Sequence, residues 1–453
     1  MAFDKFPQIT ACEILSTGTC PLNCKYCYIP KVDAMKDIHE EIKKDLESGE
    51  FITRLQGLYG DNMEYLGFWG TEPLLTLGII ARKMDDMFTA FPKLSFISFS
   101  TAMLYEPLII YDFVQSIKDR DVKLSVQISL DGPAFITDVN RIEGAAEKIP
   151  RVFMELVKLL NTIEDMKCKV DFKWKATLDP SNIALFNSDP SLIKDYYDFF
   201  LNCEDDFTRT NTNKNVKFNY GSYTPTLMVP GKYTNKEGKD LAIFVKNIHA
   251  TGNETTYTHR LRRLFEYGDE LYKRRMFSCS GGDANFGVGK DIHICHRTFY
   301  LNNDDYINAI MDKESTIGDI DNWDVTLFKR KSIENVRKNF IIDIDDDDDI
   351  NRFLYVLRGY HDYSKLQMNS AEACIIELAY SGQINKIYLK NKKLRKLFAL
   401  FVHQGFSCPM ENVLNTGSIH TQVLSIMRML GNGAFMEIVR KVKEDYEQLP
   451  RTK

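Results

Sequence analysis

The sequence predicts an α/β fold built on a parallel sheet, and two observations carry that expectation. From residue 9 to about 220, short apolar runs alternate with longer amphipathic stretches, which is the pattern of repeated β–α units. Each unusual cluster of residues falls directly after one of the apolar runs. Parallel α/β folds place their sites at that end of the strand.

The strands are expected at 9–16, 65–69, 95–100, 123–130, 169–177 and 216–220. Between them, helical periodicity covers 33–47, 76–90, 106–119, 144–162 and 190–202, with Asp33, Thr76 and Ser191 as helix starts. Six such units imply helices packed outside a parallel sheet. The alternation alone does not separate an open doubly wound sheet from a barrel.

At 453 residues the chain exceeds one ordinary core and is expected to hold two or three domains. Its 44% hydrophobic and 27% charged residues are those of a globular protein. The net charge of −5 argues against broad, non-specific nucleic-acid binding. Local basic clusters stand at Arg260, Arg262 and Arg263, at Lys273, Arg274 and Arg275, and along 386–396. All of them read as solvated helix faces. The acidic run 345–349 lacks the spaced ligands and glycine of a calcium loop and reads as an exposed turn. The start, MAFDKFPQIT, has no apolar leader core, and no run of about 18 apolar residues suggests a membrane span. Ten cysteines in such a chain read as metal ligands or core residues in a reducing cytoplasm.

After the first strand stand Cys20, Cys24 and Cys27, in a C-x3-C-x2-C spacing with Tyr26 just before the last. A tight loop of this kind offers three thiolates to one iron–sulfur cubane and leaves one iron open. The alternative is a structural zinc knot, which needs four ligands, the nearest fourth candidate being Cys12. After the second strand comes Gly70-Thr71-Glu72-Pro73, a turn in which glycine permits close backbone approach and proline fixes the chain. After the fourth come Ser129-Leu130-Asp131-Gly132-Pro133, Asp138 and Arg141, whose plain reading is a turn and a surface charge.

Together these motifs resemble the radical S-adenosylmethionine enzymes, and their peptide- and protein-modifying branch in particular. The resemblance implies a partial (β/α)6 TIM-like barrel. It also implies a [4Fe-4S] cluster on Cys20, Cys24 and Cys27 whose open iron chelates S-adenosylmethionine. An electron from that cluster would cleave the sulfonium to a 5′-deoxyadenosyl radical. Tyr26 completes the cysteine motif. Gly70, Thr71 and Glu72 stand where the family's Gly-Gly-Glu-Pro motif holds the methionine amino group, with Thr71 replacing the second glycine. Ser129 would contact the ribose or methionine region, and Arg141 would pair the methionine carboxylate. The family's His-Asp is Thr137-Asp138 here. The third strand ends in Ser98-Phe99-Ser100-Thr101-Ala102 in place of the usual Thr-Asn-Gly, so no site residue is assigned there.

Beyond the barrel, Cys279 and Cys295, separated by fifteen residues, resemble the opening of the auxiliary-cluster extension called SPASM, or its shorter relative called twitch. Lys290 stands where the family places a glycine, with Gly289 adjacent, and Ile317-Gly318-Asp319-Ile320 is similar to a later part of that extension. The dense cysteine array of the full form is missing. Only Cys374 and Cys408 follow, so one auxiliary iron–sulfur cluster is expected, with these two as candidate ligands. The alternative makes Cys279 and Cys295 small buried residues, the reading also given to Cys12, Cys168 and Cys203. His296 follows Cys295 where sulfatase-maturing relatives carry an aspartate, which counts against that specific activity. Histidine at that place can serve as catalytic acid or base, or donate a hydrogen bond to a cluster sulfur.

The expected organisation is a barrel at 1–225, a linker and SPASM/twitch-like region at 226–380, and a helical region at 381–453. The resemblance implies hydrogen abstraction from a peptide or protein substrate, leading to cross-linking, oxidation or epimerisation. A donor such as flavodoxin or ferredoxin would supply the electron, with no membrane involved. A second reading is radical modification of a small molecule or RNA, for which the basic run 386–396 is the supporting feature. A third is a non-catalytic iron–sulfur or zinc binding module.

Overall fold

The computed structural model describes residues 10–27 and 34–220, and shorter segments at 226–227, 240, 243–244, 246–248, 250–253, 285–288, 291–293 and 316–319. Asp33, Cys279, Cys295, His296, Cys374, Cys408, the three basic clusters, the acidic run and the tail from 381 lie outside the described residues.

Strand β1 (Ala11–Thr17) leads through the cysteine loop to helices α1 (Ala34–Ser48) and α2 (Glu50–Tyr59). Then follow β2 (Tyr65–Gly70), α3 (Leu74–Ala81), α4 (Met84–Ala90), β3 (Phe96–Thr101), α5 (Leu108–Ile117) and β4 (Lys123–Ser129). Next come α6 (Ala134–Asn140), α7 (Ala145–Leu160), β5 (Lys169–Lys175), β6 (Thr177–Leu178), α8 (Pro180–Ser188), α9 (Leu192–Thr210) and β7 (Val216–Phe218). Four short strands complete the set: β8 (Thr226–Leu227), β9 (Asn285–Val288), β10 (Asp291–His293) and β11 (Thr316–Asp319).

Strands β1, β2, β3, β4, β5 and β7 pair side by side in chain order, all parallel. A doubly wound sheet reverses its strand order at a switch point. This one does not, which settles the open alternative in favour of a partial barrel. Side-chain alternation agrees. Leu124, Val126 and Ile128 of β4 and Val170, Phe172 and Trp174 of β5 are buried with the helices in one continuous core. Successive strand residues point to opposite faces, so Ser125, Gln127, Asp171 and Lys173 line the concave face.

Amphipathic spacing explains the helical layer. Ile149, Val152, Phe153, Leu156, Val157 and Leu160 of α7 recur at three- and four-residue steps and are buried. Phe153 sits at the centre of the aromatic core, with ring centroids 4.9 Å from Phe172 and 5.2 Å from Trp174. Such pairs add about 0.5–1.5 kcal/mol beyond area burial.

The helical expectations need correction in four places. The stretch 76–90 is two helices, and the first begins at Leu74 after Pro73, not at Thr76. Thr76 is inside the helix because its hydroxyl donates to the Ser16 carbonyl at 2.9 Å and so ties α3 to β1. The last stretch runs on to Thr210. Helices α2, α6 and α8 were not anticipated.

The sheet also extends beyond β1. Strand β9 pairs parallel with it, Ala11 facing Asn285 and Ile14 facing Val288, and β10 and β11 follow antiparallel. Strands from either side of residue 225 thus share one sheet. No helix among the described residues is long and apolar enough to cross a membrane.

Candidate cluster and cofactor site

The loop carrying Cys20, Cys24 and Cys27 leaves the carboxyl end of β1. None of the three forms a disulfide, all three are partly or fully exposed, and the Leu22 N–H points at the Cys20 sulfur, 3.4 Å away. A turn closes the loop, the Cys27 N–H donating to the Cys24 carbonyl at 3.0 Å.

Two neighbouring strand ends and the end of a helix hold this loop. From β4, the completely buried Asp131 accepts the Tyr26 hydroxyl at 2.6 Å, two bonds from the Arg141 guanidinium at 2.8 and 2.9 Å, and the Thr177 N–H at 3.0 Å. Four donors around one carboxylate satisfy a charge that would otherwise be costly to bury. The Arg141 guanidinium also lies over the Tyr26 ring, 5.5 Å from its centroid. Burial pushes the Tyr26 phenol well above its usual pKa, and the Asp131 charge adds to this, so the hydroxyl stays protonated and donates. Burial draws the Arg141 pKa down, but Asp131 and Tyr26 outweigh it and the net shift is upward.

From β2, Gly70 adopts φ +144°, and a Cβ there would meet the Thr17 carbonyl oxygen at 2.4 Å. Only glycine lets the two strand ends approach this closely. Thr71 then binds the chain entering the cysteine loop: its N–H donates to the Thr17 carbonyl at 3.3 Å and its hydroxyl to the Thr19 carbonyl. Its departure from glycine therefore adds a side-chain bond. Glu72 turns inward, 1% exposed, and accepts the Ala102 N–H at 2.8 Å and the Leu74 N–H at 3.3 Å. Burial raises its pKa, opposed by those N–H groups and by the Thr101 side chain. It stitches β2 to the end of β3.

The third support was not anticipated. The Lys25 N–H donates to the Asn140 carbonyl at 2.9 Å, and the buried Asn140 amide bonds Asn182 at 2.9 Å. Asn182 in turn completes a capping box with Asp179 at the start of α8. Asp138 caps α7 instead, accepting from Gly144 and Ala146 at 3.0 and 2.8 Å. Ser129, at the end of β4, is half-buried on the concave face beside Lys175.

Among the described residues, no three histidine, cysteine, aspartate or glutamate side chains converge to hold a single metal ion. A zinc knot needs that convergence. Its candidate fourth ligand, Cys12, is completely buried in β1, where burial pushes the thiol up to about 12. A cubane takes each thiolate at a different iron and so does not ask the three loop cysteines to converge on one point.

Fold and site together define a partial α/β barrel with a clamped three-thiol loop at its carboxyl edge. Among solved structures, the chain is similar to native anSMEcpe with bound AdoMet, an anaerobic sulfatase-maturating enzyme. The match has 16% identity, covers 84% of this chain and 98% of that one, and has a TM-score of 0.45. The same protein with AdoMet and a Cp18Cys peptide matches with equal identity and coverage and a TM-score of 0.41. Streptococcus suis SuiB bound to S-adenosylmethionine matches at 15% identity over 71% of this chain and 67% of that one, with a TM-score of 0.37. No family model matches the chain, and no curated protein does.

Proposed function

We propose that the chain is a radical S-adenosylmethionine enzyme that modifies a side chain of a peptide or protein. The observation that carries this reading is the convergence on one loop. Three thiols follow β1, Tyr26 between them is clamped by Asp131 and Arg141 from β4, and Gly70-Thr71 from β2 grips the loop's start. Motifs far apart in sequence and unrelated in composition thus serve one loop.

Cys20, Cys24 and Cys27 would hold a [4Fe-4S] cluster. When bound, that cluster supplies the electron that cleaves S-adenosylmethionine to a 5′-deoxyadenosyl radical. The chain's own residues hold and orient. Arg141 is a positioning residue in this reading, since its fork is occupied by Asp131 and it acts on the thiol loop through Tyr26. Thr71 and Glu72 set the turn that faces the methionine end, and Ser129 stands at the mouth of the concave face. Cys279 and Cys295, completed from Cys374 and Cys408, would carry one auxiliary cluster, with His296 beside it as acid or base. The peptide assignment rests on the Ser-Leu-Asp-Gly-Pro signature. The reaction belongs in a reducing cytoplasm, with a flavodoxin or ferredoxin as donor.

Protein reconstituted with iron and sulfide in the absence of oxygen should release 5′-deoxyadenosine from S-adenosylmethionine when reduced. The Cys20→Ala, Cys24→Ala, Cys27→Ala triple variant should release none. Equal release from the triple variant overturns the reading.

A further inference from the structure

The concave face of the sheet holds a cavity of about 280 Å³, lined chiefly by polar side chains of five strands. Its floor is made of small residues, Gly67 on β2, Ser98 and Ser100 on β3, and Ser125 on β4. A Cβ on Gly67 would come within 2.8 Å of the Tyr65 hydroxyl. Its absence lets Tyr65 lie along the floor, where its hydroxyl reaches Ser98 at 2.7 Å and donates to Glu13 at 3.2 Å. Gln127 donates to Ser100 at 2.9 Å. On the β1–β4 side, hydrogen bonds thus join Tyr65 to Glu13 and Ser98, and Gln127 to Ser100.

The β5 side differs. Lys173 projects into the cavity half-buried, and its ammonium has no hydrogen-bond or ion-pair partner among the described residues. The carboxylate two residues away on the same face, Asp171, is taken by Lys123 at 2.5 Å. Burial and the Lys123 charge pull the Lys173 ammonium below its usual pKa, so the folded chain holds this cation at a cost. A sheltered cation in a polar cavity suits a single anionic charge, and a bound carboxylate would offset that cost.

We propose that the substrate residue entering the barrel, or its immediate neighbour, carries a carboxylate that pairs with Lys173, so that the enzyme selects an acidic peptide segment. This deepens the reading above and rests on it. Lys173 sets specificity and touches neither thiol nor clamp.

The test uses the full-length reconstituted protein and two capped probes, N-acetyl-glutamate amide and N-acetyl-glutamine amide, followed by saturation-transfer NMR. The glutamate probe should bind the wild type and the glutamine probe should bind at least about tenfold more weakly, since one tenfold step is what loss of a modest charge pair produces. Lys173→Met should abolish that preference while leaving S-adenosylmethionine binding by equilibrium dialysis unchanged. Lys173→Glu should instead favour N-acetyl-lysine amide. Equal binding of the two probes to the wild type overturns the assignment. So does a glutamate preference that survives in both variants, or a loss of S-adenosylmethionine binding in Lys173→Met, which would give the cation to the cofactor. A wild type that prefers the glutamate probe through Lys173 yet binds no S-adenosylmethionine supports the cavity assignment and overturns the functional reading instead.

Discussion

Arg141 shows how far a motif and its physics can diverge. As a surface charge it would be dispensable for folding, and as a carboxylate ligand it would be free in the absence of cofactor. Its side chain is instead 6% exposed and bonded to a carboxylate that is 0% exposed. Removing one partner of such a pair strands the other charge, at a cost of about 3–5 kcal/mol. Arg141→Ala should therefore lower the denaturant midpoint markedly, against the expectation from sequence of a pure binding defect. Tyr26→Phe removes one donor of four and should cost about 1.5–3 kcal/mol, the range for a bond to a charged group. An Arg141→Ala variant as stable as the wild type would show the pair to be without net worth. The motif letters were legible in the chain, but the hub was not. Asp131 carries its signature in plain view, yet nothing in a sequence says that four donors meet there.

Strands such as β4 and β5 were readable because one face of each is buried and the other is not, and that alternation survives without knowledge of neighbours. Short helices were harder. Helix α6 spans only Ala134–Asn140, and its C-terminal residue Asn140 is held by a buried amide pair with Asn182 on α8. Neither helix has the apolar stripe that marks an isolated amphipathic helix. Helix α2 follows Gly49, whose left-handed conformation at φ +81° separates it from α1 within one charged stretch. The turn after β2 was legible by type, and its strictness can be measured. Gly70→Ala adds a Cβ 2.4 Å from a carbonyl oxygen and forces a left-sided φ on an L-residue. Strain of this kind costs about 1–3 kcal/mol before any clash is counted. Gly78, exposed in α3 with nothing within 4 Å of a new Cβ, is the internal control. Gly78→Ala should stabilise by about 0.5–1 kcal/mol. Opposite signs in thermal unfolding are expected, with iron uptake reduced only in Gly70→Ala. Equal effects would mean the close approach of the two strand ends has no energetic consequence.

At the scale of the whole molecule, the strand that launches the cysteine loop is not an edge. Strand β1 lies between β2 and β9, and the segment 285–288 comes from far beyond the last barrel helix. Strands from both sides of residue 225, where the β–α alternation fades, pair in this sheet. Parallel pairing between segments so distant in sequence leaves no local pattern to read, because each strand need only be short and extended. The pairing has a mechanical meaning for the site. Residues Ala11–Ile14 are held on both sides by parallel ladders, and the loop with Cys20 begins a few residues later. Strand β9 is itself paired on both sides, with β1 and β10, so either direction of its N–H groups serves a ladder. A proline there removes a donor that the sheet uses. Phe286→Pro should accordingly raise amide hydrogen exchange at Cys12 and Ile14 while leaving the β4–β5 pair protected, since that ladder lies four strands away in the sheet order. Exchange at β1 as slow as in the wild type would show that the barrel closes on its own and that the 285–288 strand merely rests against it.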